Sequence, residues 1–183
     1  MSGRLLLLSL LGLGAAAVSV SVTSGMAEMP DNPAAAATKL QEDGNFAEAY
    51  ALAARGIADA SLADDQRATL VRVAFDTMRQ AGTLDEVRML REQLRAADPG
   101  PRAVVEFAGK LLYVDHSGPY ADGRFIRGGR NVQSNRWIDV ADADRRVAMH
   151  DLVELLDRDL SDRDRVAALE MLRTALLHNR ADG

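Results

Sequence analysis

The chain has 183 residues, no cysteine, 48% hydrophobic residues and a formal net charge of −5. That length suits one domain with a core of its own. The lack of cysteine excludes disulfides, cysteine-ligated zinc and thiol catalysis, and the acidic balance argues against a general nucleic-acid binder. Aromatics make up only 4%; Ala, Leu, Arg and Asp dominate, the composition of a helical protein.

Residues 1–27 have the layout of a secretory signal peptide: Arg4, a leucine-rich stretch from Leu5 to Leu13 thinning toward Val22, and the small-x-small site Gly25-Met26-Ala27 before Glu28. The competing reading is an uncleaved anchor, since Leu5 to Val22 spans 18 residues, the short edge of a membrane-crossing helix. Gly12, Gly14, Ser19 and Ser21 weaken it. The expected address is therefore outside the cytoplasm, periplasmic or secreted, with a membrane contact only through residues 5–22 if they are retained.

Residues 28–33, with Pro30 and Pro33, read as a linker and helix start. Five helices follow. Ala34 to Asp43 ends at Gly44-Asn45, and Phe46 to Asp59 carries Phe46, Ala49, Tyr50, Ala53 and Ile57 on one face. Asp65 to Ala81 buries Leu70, Val73, Ala74 and Met78 and breaks at Gly82-Thr83. Leu84 to Ala97 presents Leu84, Val87, Leu90 and Leu94, and stops at Asp98-Pro99-Gly100. Arg102 to Tyr113 offers Val104, Ala108, Leu111 and Leu112. Residues 117–137 then lose the helical period. A C-terminal helical pair spans 138–179: Ala141 to Arg158, and Asp162 to Leu177 opened by a capping-box variant at Ser161 with Asp164 three places later. Residues 180–183 read as a frayed tail. The expected fold is all-α: stacked antiparallel hairpins over 34–116, a Gly/Arg-rich non-helical insert, and that final pair.

The two interior breaks align as Gly44-Asn45-Phe46-Ala47-Glu48-Ala49 over Gly82-Thr83-Leu84-Asp85-Glu86-Val87. Each sits between two amphipathic helices, and Pro99 stands seventeen residues after Gly82. Over about residues 32–113 this resembles the tetratricopeptide repeat, in which a Gly-Asp-Tyr-x-Glu-Ala type of turn joins helix A to helix B and a proline closes helix B. The turns here are 38 residues apart, against a family period of about 34, and Ser61 stands where the first unit's proline would be. The resemblance implies stacked helical hairpins with a concave protein-binding face.

The insert is the natural place for contact residues. Tyr113, Tyr120, Phe125 and Trp137 are four of the eight aromatics, and Arg124, Arg127, Arg130 and Arg136 accompany them. Residues 28–100 carry −5, residues 101–137 carry +3 and residues 138–183 carry −4. A basic, aromatic segment between acidic helical blocks has two readings. It is a partner-contacting loop, with Tyr120, Arg124, Phe125, Arg127, Arg130, Arg136 and Trp137 as its anchors. Alternatively, its arginines pair with acids of this chain and tie the blocks together. A short hairpin of Arg124–Ile126 with Asn131–Gln133 about Gly128-Gly129 is one shape it would take. Gly128-Gly129-Arg130-Asn131-Val132-Gln133-Ser134, followed by Asp144-Arg145-Arg146-Val147-Ala148, also resembles the amino-terminal helical region of large bacterial alpha-2-macroglobulin-like proteins. This second likeness, over about 128–156, implies an envelope protein without the thioester chemistry, which needs a cysteine.

Catalytic patterns are sparse. His116, His150 and His178 are separated by 34 and 28 residues, with no metal-ligand spacing among them. Asp115-His116 beside Ser117 is too local for a triad, whose members converge from separate segments. Asp157, Asp159, Asp162 and Asp164 lack the glycine and terminal Glu of a calcium loop. No phosphate-binding loop occurs. The expected function is a non-enzymatic helical-repeat protein that binds another protein bearing an acidic patch, with no cofactor, metal or nucleic acid. The alternatives are an anchored accessory subunit of an envelope complex, or a small hydrolase using Asp115, His116 or His150.

Overall fold

The architecture is that of a computed structural model, which describes residues 28–129 and 132–178. Residues 1–27, where a signal peptide is expected, Arg130, Asn131 and the residues beyond His178 lie outside the described residues. Seven α-helices stand among the described residues: α1 Pro33–Glu42, α2 Phe46–Ile57, α3 Asp64–Ala81, α4 Val87–Ala96, α5 Pro101–Leu111, α6 Ala141–Leu156 and α7 Asp162–Leu177. The chain is predominantly helical, and its helix ends follow local chemistry. Asn32 accepts the Ala35 amide at 3.0 Å and Pro33 occupies the first helical position of α1, where its missing N–H costs nothing. Ser161 caps α7 through the Asp164 amide at 3.2 Å. The Asp164 carboxylate turns to the Ser161 hydroxyl at 2.6 Å, the variation expected when the third residue is the short Asp and not Glu.

The turns after α1 and α3 are geometrically alike. Gly44 and Gly82 sit at φ of 81° and 75°, left-handed backbone that glycine adopts at low cost. The next amide folds back five residues in each: Asn45 N–H donates to the Leu40 carbonyl at 2.8 Å, and Thr83 N–H to the Met78 carbonyl at 2.9 Å. This is the Schellman pattern of helix termination. The helices that follow bury equivalent positions, Ala49, Leu52 and Gly56 in α2 against Val87, Leu90 and Leu94 in α4. One difference is that Leu84–Glu86 forms a 3-10 turn before α4, so the helix expected from Leu84 begins properly at Val87.

Packing runs along the chain. α1 and α2 pack together, α3 packs on both and on α5, α5 meets α6 and α7, and α6 pairs with α7. One core unites Tyr50, Ile57, Leu70, Met78, Leu90, Phe107, Leu111 and Leu152. At Gly56 a Cβ would stand 2.5 Å from a Leu70 methyl, so the absence of a side chain there lets α2 approach α3. A second close approach joins α3 to α5. Both oxygens of Asp64 accept amides from the first turn of α5, Arg102 at 2.8 Å and Ala103 at 3.1 Å. Asp64 thus serves α5 as a cap from another helix, and a Cβ on Gly100 would collide with it at 2.4 Å.

The all-α expectation needs a correction at the insert, which folds as a small antiparallel sheet in the order β2-β1-β3: β1 Ser117–Ala121, β2 Arg124–Phe125 and β3 Trp137–Asp139. The hairpin expected about Gly128-Gly129 is also corrected. Arg124 and Phe125 pair upstream, Tyr120 with Phe125 and Ala121 with Arg124, around the two-residue loop Asp122-Gly123. Both loop residues have positive φ, 51° and 77°. Asp-Gly is the commonest sequence for such a turn, because its twist matches that of the strands it joins. β3 then closes on the other edge of β1 and extends to Asp139, two residues past the expected end of the insert.

Candidate functional site

The sheet folds back on the start of α6 around one buried charge. Asp144, in the first turn of α6, is 8% exposed. It accepts from Arg127 at 2.7 and 3.0 Å and from His116 Nδ1 at 2.8 Å. Arg127, its side chain 9% exposed, also donates to the Asp115 carbonyl at 2.7 Å. His116 places its other nitrogen, Nε2, 3.0 Å from the Leu112 carbonyl. With an acceptor facing each ring nitrogen, the surroundings favour the protonated form of the imidazole. One aspartate therefore joins the end of α5, the loop after β2 and the start of α6.

The electrostatics agree. The Asp144 carboxylate raises the His116 pKa above its ordinary 6.5 against the opposing effect of burial, helped by the Leu112 carbonyl. Burial alone would push the Asp144 carboxyl up, but the bonds from His116 and Arg127 outweigh it and hold it below the usual range. A raised histidine pKa contributes stability that is complete below pH 6.5 and lost as pH rises through the folded value. The urea midpoint of the protein is expected to fall across that interval. His116→Gln should flatten this fall, as read by circular dichroism from pH 5.5 to 9.

Of the seven contact residues expected in the insert, three are exposed, Arg124, Arg136 and Trp137, and Tyr120 is half-buried. Arg124 is exposed on β2, and Trp137, at the start of β3, is 55% exposed. Arg136 stacks over the Tyr120 ring with 4.9 Å to its centre. Phe125 is half-buried beneath Arg127, whose guanidinium lies 5.6 Å from the ring centre. Arg127 is consumed inside the chain, as the intramolecular reading foresaw, and Arg130 lies outside the described residues.

The residues named for a hydrolase are likewise engaged. The Asp115 carboxylate pairs with Arg79 at 2.6 Å. His150 stands apart from His116, exposed beside the buried Asp151 and the exposed Glu154, and the ligand atoms of the three lie within 4.8 Å of one another. Their carboxylates already face cations: Arg91 grips Asp151 with two bonds of 2.8 and 2.6 Å, and Arg95 bridges Asp151 and Glu154 at 2.9 and 2.7 Å. A divalent ion there would have to displace guanidinium groups that tie α4 to α6. His178 packs edge-on to Tyr113.

Sequence reasoning missed Asp144 and Asp151 as organising residues. The signal was present: Asp144, Ala148, Asp151, Leu152 and Leu155 are the buried positions of α6, so two acids sit on its apolar stripe. A charge on such a stripe asks for a buried partner. No family model matches the chain, no curated protein matches it significantly in sequence, and no solved structure matches it significantly in fold.

Proposed function

We propose that this is an exported, non-catalytic protein of stacked helical hairpins that holds another protein on the outer surface of its insert. The observation that carries the reading is the exposed set Arg124, Arg136 and Trp137, kept on one small sheet whose base is locked to α6 by the Asp144 cluster. Aromatic and guanidinium groups fixed in advance lose little entropy on binding, and arginines select an acidic surface. A tetratricopeptide-like origin for α1 to α5 is supported by the two matching Schellman turns and by the way α3 packs on α1, α2 and α5. Export is supported by the sequence of residues 1–27 alone. The hydrolase alternative is disfavoured, because both nitrogens of His116 are already bonded and Asp115 is paired.

The test is a paired capture from native envelope extract. Its baits are the mature chain and an Arg124→Ala, Arg136→Ala, Trp137→Ala variant shown by circular dichroism to be equally helical. A protein retained at 150 mM salt by the first bait and lost by the second, with purified partner then binding at least tenfold more weakly to the variant, is the expected result. Equal recovery by both baits would overturn the reading.

A further inference from the structure

A cavity of about 310 Å³ opens between the start of α4, the middle of α5, the loop after β2 and the start of α6. Its walls are apolar: Val87, Phe107 and Leu111 from the core, with Phe125, Val140 and Val147 nearer the mouth. The cleft is partly open to solvent, and its half-buried apolar lining of Phe125, Val140 and Val147, over a closed floor of Phe107 and Leu111, is a place for an apolar occupant. Its volume falls at the small end of ligand pockets.

The polar part of the lining is biased. Arg88, Arg91 and Arg127 contribute three positive charges against the single acid Asp144, in a protein whose net charge is −5. Arg127 and Asp144 satisfy each other, and Arg91 is held by Asp151. Arg88 is different. Its side chain is 88% exposed and has a 3.6 Å contact with the exposed Glu92. The first turns of α4 (Val87, Arg88) and of α6 (Ala143, Asp144) both line the cavity, bringing two positive helix ends to one opening. Two of the acids beside those turns are engaged elsewhere: Glu86 accepts from the Tyr50 hydroxyl at 2.7 Å, and Asp142 pairs with Arg145 at 2.7 Å.

We infer that this cavity is a binding site for a small amphiphilic carboxylate, its alkyl chain against Phe125, Val140 and Val147 and its carboxylate at Arg88. The inference goes beyond the partner-binding surface proposed above and does not rest on it, since neither Arg124 nor Trp137 lines the cavity.

The test uses straight-chain carboxylates from butyrate to decanoate, with octanol as an uncharged control, titrated calorimetrically into the folded mature chain. Affinity is expected to rise about fourfold per methylene until the cavity is full and then to level off. Octanol should bind more weakly than octanoate. Arg88→Gln should weaken octanoate about fivefold. Ala143→Trp fills the mouth from a solvent-exposed position and should abolish binding without unfolding the protein. Absence of saturable binding at millimolar octanoate would overturn the inference, as would an affinity indifferent to chain length. Binding that survives Ala143→Trp would also overturn it, by placing the ligand on another surface such as the exposed Val166, Leu169 and Leu177 of α7.

Discussion

Asp144→Ala is expected to lower the free energy of unfolding by about 3 kcal/mol. The reasoning is the asymmetry of buried ion pairs. Arg127 and His116 have side chains only 9% and 17% exposed, and both would lose the carboxylate that offsets their desolvation. The damage should be local as well as global, because Asp144 is where the sheet, the end of α5 and the start of α6 meet. Urea unfolding followed by circular dichroism measures the total. A companion variant sharpens the interpretation. With Arg127→Met and His116→Gln added to Asp144→Leu, no charge is left stranded, and much of the lost stability should return. A loss under about 0.5 kcal/mol for Asp144→Ala alone would mean that water reaches the cluster and the three groups do not fasten the insert.

Gly118→Ala should cost about 2 kcal/mol or more, for a steric reason. A Cβ at this position in β1 would stand 2.0 Å from the Ile126 carbonyl oxygen and 3.2 Å from the Gly128 amide nitrogen. Those are backbone atoms, fixed by the Ile126 N–H bond to Pro119 at 3.0 Å and the Gly128 N–H bond to Ser117 at 2.9 Å, so they cannot swing aside as a side-chain end would. Relief of the clash must break these bonds and shift Arg127 from Asp144. Amide hydrogen exchange at Ile126 and Gly128 should speed up together with the stability loss. Gly123→Ala is the contrasting case. Its φ is positive, but nothing lies within 4 Å of the added Cβ, so only backbone strain of about 1 kcal/mol is expected and exchange at Gly128 should stay slow. Equal behaviour of the two variants would contradict the packing argument.

Asp144→Ala and Gly118→Ala also bear on function. Both would loosen the platform under Arg124, Arg136 and Trp137 without touching those side chains. A partner that needs the surface preformed should bind each variant more weakly, through lost rigidity and not through lost contacts.

Much of this fold was legible in the sequence for local reasons. The seven helices announce themselves through apolar residues at three- and four-residue steps. Their ends are written in Asn32-Pro33, Gly44, Gly82 and Ser161, whose chemistry acts within a few residues of itself. The likeness between the turns at Gly44 and Gly82 is legible in the sequence, because a Schellman turn needs only a glycine and the helix before it. Asp122-Gly123 was equally local and announces the hairpin that Gly128-Gly129 does not form.

Side chains that meet from distant segments were decided by the tertiary structure alone. His116 finds Asp144 across 28 residues, and Arg91 finds Asp151 across 60. Nothing in the neighbourhood of either acid names its partner. The sequence also left two roles open for the insert arginines, and the fold divides them: Arg127 is turned inward to a buried carboxylate, while Arg124 and Arg136 stay at the surface. Periodicity and capping depend on the few residues inside a window and are fixed by sequence. Which charges are buried, and against what, depends on how the elements pack, because only packing removes the water that would otherwise satisfy each charge separately.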